Sequence, residues 1–234
     1  MRAIESNTTF WQRFGVMIVA VLMIGSTVAL YVGIILSSKN GNVVAEQITP
    51  EKQARFQELL DAHSAEEKSL AAEQALGLSP LYYDTFNQYR DRVKAFNSAD
   101  ANNLTEVKTE DLLVGDGEEI GESTQYSMYY IGWLPDETMF DSSFEGSTLA
   151  FPLNSDSSYI DGWTEGVQGM KIGGVREITI PSSKAYGSGG SGDVIPADTP
   201  LKFVIMAVPY VPRPEVEYPD ELLDLYEEIY GQVE

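Results

Sequence analysis

The chain has no cysteine and a single histidine, His63, among 234 residues. Without thiols there are no disulfides, no thiolate zinc site and no cysteine nucleophile. With one imidazole, a histidine-based metal cluster and a Ser-His triad are excluded as well. His63 lies in a charged helical stretch and reads as an ordinary surface or packing residue. Basic residues are scarce: 15 Lys+Arg face 36 Asp+Glu, a net charge of −21. A field of that sign repels phosphate backbones, which argues against nucleic acid as a partner. It reads as solubility rather than as attraction to a basic partner. A phosphate-cradling loop is also missing. Gly187-Ser-Gly-Gly-Ser-Gly192 has glycines enough, but no Lys and Ser/Thr follow at the right spacing and no helix opens there. It reads as a mobile loop. Neither a metal nor a cofactor is expected.

Charge is absent altogether from one long stretch, Phe14 to Ser38. As a helix, Phe14 to Leu36 alone would span about 35 Å, against a hydrocarbon core of about 30 Å. That is too long for the core of a cleaved signal peptide, so residues 14–38 are expected to form an uncleaved transmembrane signal anchor. Arg2 and Arg13 on one side, against Lys39 on the other, place residues 1–13 in the cytoplasm. The expected location is therefore the plasma membrane, single-pass, with the rest of the chain extracytoplasmic. Gly25, Ala29 and Gly33 fall four apart on one helical face. That spacing lets two helices approach closely and marks a candidate homodimer contact, although small residues are common in any spanning helix.

Residues 39–103 read as a helical stalk and linker. Thr49-Pro50-Glu51 is a helix start, with a hydroxyl cap, proline in the first position and an acid near the positive end. The helix is expected to run to Leu76 and stop at Gly77. Ser79-Pro80 repeats the start, and Tyr82, Phe86, Tyr89, Val93 and Phe96 then form one apolar stripe. The stripe needs a cover. The simplest is the preceding helix, folded back as a hairpin; dimerisation is the alternative. Residues 211–234 form an acidic tail, with an amphipathic helix over 219–230 that packs on the aromatic stalk or on the sheet, or else binds a partner.

Residues 104–210 carry most of the strand signals. Glu106 to Leu113, Gln125 to Trp133, Thr148 to Leu153, Val175 to Ile180 and Leu201 to Val208 read as strands, and Ser157 to Gln168 holds the one good short helix. The fold class is α+β: a curved antiparallel β-sheet wrapped around one short helix. Within this region six segments stand in order: Tyr130-Ile-Gly, Met139-Phe-Asp-Ser-Ser143, Ile160-Asp-Gly-Trp163-Thr-Glu-Gly166-Val-Gln-Gly-Met170, Ala185-Tyr-Gly187, Val194-Ile-Pro196 and Leu201-Lys-Phe203. Together they resemble the FKBP family of peptidyl-prolyl isomerases, over a little under half of the chain.

The resemblance implies the same fold and a defined site. Trp163 looks like the floor under a substrate proline ring, with Tyr130, Phe140 and Phe203 as walls. Ile160 and Ile195 stand at the rim, and the Ile160 N–H and the Tyr186 hydroxyl look like donors to substrate carbonyls. Asp141 resembles the pocket carboxylate that orders the aromatic hydroxyls. Val194 belongs with the rim. Two further rim positions depart from the family: Leu149 stands where a phenylalanine is usual, and Tyr159 where an aliphatic residue is usual. Ser191 replaces a frequent histidine. The expected function is cis-trans isomerisation of X-Pro bonds in exported or membrane-proximal proteins, with macrolides of the FK506 and rapamycin type as ligands. Two rivals stay open: a non-catalytic module that grips proline segments, and a chaperone acting mainly through the helical segment.

Overall fold

The computed structural model describes residues 49–92 and 104–230. The apolar run 14–38, the Gly25/Ala29/Gly33 face, and Val93 and Phe96 lie outside the described residues. Among the described residues no helix is long and apolar enough to cross a membrane. The chain divides into two compact units, one of residues 1–70 with 214–234 and one of residues 71–213.

In the first unit, the early turns of helix α1 (Pro50–Asn87) meet the last helix of the chain, which spans Asp220–Tyr230. Arg55 grips Glu221 through two hydrogen bonds of 2.8 Å, Lys52 pairs with Glu228, and the rings of Phe56 and Tyr226 lie 6.4 Å apart. Leu222 and Ile229 are buried. The acidic tail thus packs on the first half of α1. His63 is a packing residue. It is buried, stacks on Tyr218 at 4.2 Å and sits 3.0 Å from the Val216 carbonyl oxygen through Nε2.

The second unit is built on a six-stranded antiparallel sheet. In chain order its strands are β1 (Lys108–Leu113), β2 (Tyr126–Trp133), β3 (Met139–Ser142), β6 (Leu153–Asn154), β7 (Val175–Ile180) and β8 (Leu201–Pro209). Their spatial order is β1-β7-β8-β2-β3, with β6 added on β2. β4 (Phe144–Glu145) and β5 (Thr148–Leu149) make a separate small hairpin. The spine is the β2–β8 pair, in register over eight residues from Tyr126↔Pro209 to Trp133↔Lys202. Both strands are buried nearly throughout, which alternation turns into two cores. Met128, Phe203 and Ile205 enter one core, with Tyr130 packed against it; Tyr129, Ile131, Val204 and Met206 enter the other.

The short helix α2 (Asp161–Val167) covers part of the first face. It lies so close that a Cβ on Gly162 or Gly166 would sit 2.2 or 2.5 Å from Ile180 or Ile178. Arg176 closes its far end: Nη1 donates to the Gly166 and Gln168 carbonyls at 3.1 and 2.8 Å, while Nε binds Asp111 at 2.6 Å. A cation on those unpaired carbonyls is favourable. The expected α+β arrangement is found, with the helix shorter than the 157–168 expected and the 148–153 strand split in two.

The second face is covered by α1, and here two expectations are corrected. First, α1 does not stop at Gly77. It runs unbroken for 38 residues through Gly77 and Pro80. A proline inside a helix costs about 3 kcal/mol, and burial offsets it. Ala75, Ser79, Tyr82, Tyr83 and Phe86 lie on one side and are buried or half-buried. The Leu149 N–H also donates to the Ser79 hydroxyl at 2.9 Å. Secondly, the stripe is not covered by a helical hairpin. Phe86 stacks on Phe144 at 5.3 Å, Tyr82 meets Tyr129 at 5.6 Å, and Tyr83 meets Phe144 edge-on at 5.7 Å. The helix ends at Asn87, short of Val93 and Phe96, and in the turns that follow the Arg90 guanidinium lies 4.8 Å from the centre of the Phe144 ring. Arg92 reaches back to Glu177 and Glu110 at 3.1 and 2.9 Å, and Glu177 also pairs with the buried Lys202 at 2.6 Å. Lys202 is tolerated in an otherwise apolar strand because its charge is paired.

Candidate functional site

The first face of the sheet is only partly covered by α2, and the aromatic residues singled out above converge beside that helix. Trp163 is the centre. Its indole packs against Phe203 of β8 at 4.6 Å between ring centres, Tyr130 of β2 at 5.3 Å and Tyr159 at 5.4 Å. Phe140 of β3 stands edge-on to Phe203 at 5.6 Å. Phe140 and Phe203 come this close because β2 has a glycine between them: a Cβ on Gly132 would lie 2.6 and 2.8 Å from their rings. The indole N–H donates to Met128 Sδ at 3.1 Å. Met128 was not singled out by sequence. Its signal was its place two residues before Tyr130, on the same side of the strand.

The polar edge belongs to β3. The β2–β3 register skips Phe140, with Asp141 opposite Gly132 and Met139 opposite Trp133, so Phe140 and Asp141 both reach the face that carries Tyr130. The Tyr130 hydroxyl donates to Asp141 Oδ2, and the Ser142 N–H donates to Oδ1 at 2.8 Å. Burial, then the charge of Asp141 and their hydrogen bond, hold the Tyr130 phenol well above its ordinary value. Tyr186 is raised too, by burial and then by Asp141. Both phenols therefore keep their protons at neutral pH and act as donors. Ile160 caps α2: its carbonyl accepts from the Trp163 and Thr164 N–H groups at 2.9 and 3.3 Å. Among the described residues no acceptor meets the Ile160 N–H.

Tyr130, Phe140, Ile160, Trp163, Tyr186, Ile195 and Phe203, with Tyr159, all belong to one apolar cluster, and Asp141 joins them through Tyr130. Ile195 is less a rim residue than a core one, at 1% exposure, whereas Val194 beside it is 44% exposed. Leu149 is corrected outright. It is buried in the opposite core, among the residues that face α1, and not in the cluster that holds Trp163. The β4–β5 hairpin carries it there, paired with Phe144. The glycine-rich loop is stitched down: Ser191 and Ile195 exchange two hydrogen bonds of 2.8 and 3.0 Å, and the Asp198 N–H binds the Gly187 carbonyl at 2.8 Å.

The arrangement can do a limited chemistry. Its walls are apolar, its hydroxyls are donors, and the carboxylate is engaged by Tyr130. Nothing in the cluster is poised as a nucleophile. It can hold an apolar ring against the indole and present N–H and O–H groups to a neighbouring carbonyl.

Comparison with known proteins leads to the same region. The sequence model of the FKBP-type peptidyl-prolyl cis-trans isomerases matches residues 117–208. An FK506-binding protein of Neisseria meningitidis serogroup B is 41% identical over 96 residues, which is 41% of this chain and 88% of that protein. A probable FK506-binding protein of Corynebacterium glutamicum is 44% identical over 98 residues, 41% of this chain and 79% of its own. Among solved structures, a peptidyl-prolyl cis-trans isomerase from Pseudomonas syringae aligns at 30% identity with a TM-score of 0.40, covering 53% of this chain and 93% of its own.

Proposed function

The chain belongs to the FKBP-type peptidyl-prolyl cis-trans isomerases, and from that premise we propose that the Trp163 cluster is where the X-Pro bond is turned. The observation that carries this is the meeting of an indole floor, three aromatic walls and one engaged carboxylate on the sheet face that α2 leaves partly open.

An X-Pro amide prefers trans by only about 0.5–1 kcal/mol. Exchange is slow because rotation breaks amide resonance, at about 18–20 kcal/mol. No bond to the enzyme need form. The barrier falls if the twisted amide is held better than either planar form. In the proposed mode the proline ring lies on Trp163 between Tyr130, Phe140 and Phe203. The Ile160 N–H and the Tyr186 hydroxyl donate to carbonyls of the substrate backbone. Asp141 fixes the Tyr130 hydroxyl at the edge where the carbonyl turns. Exclusion of water strips the planar amide of the hydration that favours it.

Proline-containing polypeptides and macrolides such as FK506 are ligands of the family, and the relatives' names carry the latter. The proposed setting is extracytoplasmic: residues 14–38 anchor the chain in the plasma membrane and the isomerase unit acts on exported or membrane-proximal proteins. Charge-free length and the flanking arginines support this reading. Protease added to spheroplasts should remove the isomerase unit; full protection would overturn that placement.

For the activity, the full-length protein should accelerate cis-trans exchange in an X-Pro peptide read by exchange NMR, and FK506 should suppress it. A folded protein that leaves the exchange rate at its uncatalysed value would falsify the reading.

A further inference from the structure

We propose that Tyr159 is a positioning residue for this isomerisation, one that sets the plane of the Trp163 indole; the inference rests on the function proposed above. Three rings touch the indole, and they do not act alike. Tyr130 and Phe203 meet it at 67° and 56°, whereas Tyr159 lies nearly parallel, at 18°. Steep neighbours limit how far a ring can slide. A stacked neighbour limits how far it can tilt, and tilt decides whether a flat floor is presented to a proline ring.

A stacked ring can set a plane only if it is itself held. The Tyr159 hydroxyl donates to the Asn154 carbonyl oxygen at 2.6 Å. That acceptor is fixed. Asn154 is fully buried, and its side chain takes a hydrogen bond from Ser127 Oγ at 2.8 Å and gives one to the Val211 carbonyl at 2.9 Å. The Val211 N–H returns to Ser127 Oγ at 2.8 Å and closes the ring of bonds. β2, β6 and the segment after β8 are thereby tied at one point, and the phenol hangs from that point. Burial pushes the Tyr159 phenol up to about 12, so the tether survives ordinary changes of pH.

The backbone completes the argument. Tyr159 precedes Ile160, whose carbonyl holds the first turn of α2 and with it Trp163. One dipeptide thus fixes the indole twice, through the main chain and through the ring. An aliphatic side chain at 159 could neither stack nor donate. Tyr159 is only half-buried, so it stands at the wall of the site and not in the deep core.

Two variants of the full-length chain separate the contributions. Tyr159→Phe keeps the stack and loses the tether; Tyr159→Val loses both. The readouts are kcat/KM for X-Pro exchange, the urea midpoint, and the indole 15N–1H resonance of Trp163, assigned by its loss in Trp163→Phe. Trp133, buried in the opposite core, supplies an internal control resonance. We expect kcat/KM to fall about tenfold in Tyr159→Val and about threefold in Tyr159→Phe, as for a displaced positioning group. The Trp163 resonance should shift or broaden in Tyr159→Val while that of Trp133 stays in place. An active wild type with both variants within twofold of it, or a Trp163 resonance unmoved in Tyr159→Val, overturns the positioning role and leaves the function standing. If Tyr159→Val does not fold, Tyr159→Phe at wild-type kcat/KM overturns it alone. A wild type without exchange activity overturns the function itself and the inference with it.

Discussion

Tyr129 and Tyr130 are neighbours in β2, yet they live on opposite faces of one sheet and meet opposite fates. Tyr130 faces the Trp163 cluster, half-buried, and its hydroxyl is received by Asp141. Tyr129 faces α1, fully buried, and its hydroxyl finds no partner among the described residues. The same strands supply both faces, so the difference comes from what lies on each. Seven residues of α2 leave part of the first face open, and there the Tyr130 hydroxyl has a carboxylate to receive it while the Ile160 N–H is left for a ligand. The aromatic turns of α1 close the second face mainly with packing, helped by the Leu149 N–H bond to Ser79. A face that must receive a ligand keeps donors in order; a face that only has to be covered tolerates a loose polar atom.

The sharpest way to break this division is at one well-packed ring on each face. Trp163→Ala removes the floor and opens a buried cavity. It should cost about 3–5 kcal/mol of stability and bring X-Pro exchange close to the uncatalysed rate. Urea midpoints and exchange NMR on the same sample check both. Phe86→Ala, in the opposite core, should likewise cost about 3–5 kcal/mol of stability, read by urea denaturation. The kcat/KM of the remaining folded protein should stay within about twofold of wild type, since additivity holds for sites that share no partners. A clear loss of activity in folded Phe86→Ala would show that the two faces are coupled.

Legibility followed the same division. The open face was readable because its residues come as short motifs, and Tyr130, Phe140, Asp141, Trp163 and Phe203 meet as the motifs implied. The closed face was misread because its partner is distant in sequence. The stripe Tyr82, Phe86, Tyr89 announced a buried side, but helical spacing does not say what buries it. The signal that it was a sheet lay elsewhere. Tyr126–Trp133 and Leu201–Pro209 are apolar almost throughout, which a sheet with one wet face would not require. Leu149 was lost for the same reason: its hairpin turns it toward α1. Gly77 and Pro80 misled because local propensity is weak beside the packing of Ala75, Ser79 and Phe86. Tyr159 looked like a mere departure from pattern, and its stack and tether were visible only in three dimensions.

A smaller effect, on activity alone, is expected at Asp141. The carboxylate fills no core, so Asp141→Ala should shift the urea midpoint little. Exchange should slow by about tenfold or more, matching the ~1.5–3 kcal/mol of a hydrogen bond to a charge. Tyr130→Phe should reproduce most of that loss. Titration gives an independent check. Burial and Asp141 raise the Tyr130 phenol, so its contribution to stability is complete below the unfolded value of about 10 and is lost as pH rises through the folded value. In Asp141→Ala the charge is gone, the folded value moves down toward 10, and that window narrows. Absorbance of phenolate against pH in the two proteins should show it. Full activity in Asp141→Ala would remove the carboxylate from the mechanism.

The smallest effect should come from Tyr129→Phe, and its sign is what matters. A buried hydroxyl without a partner costs about 1–3 kcal/mol of lost solvation. Burial and the neighbouring Tyr82 also raise this phenol, as expected for a group with nothing to stabilise its charged form. Removing the oxygen leaves the ring in place between Tyr82 and Phe86, with a void smaller than a methyl group. The relieved desolvation and the small packing loss nearly cancel, so stability from urea denaturation should stay level or rise by up to about 1 kcal/mol. Exchange activity should not change, because the ring faces α1 and no atom of it enters the Trp163 cluster. A loss of more than about 1 kcal/mol would mean that the hydroxyl holds a buried water bonded to several groups, since such waters are costly to remove. The closed face would then be as carefully matched as the open one, and the contrast between the two tyrosines would fail.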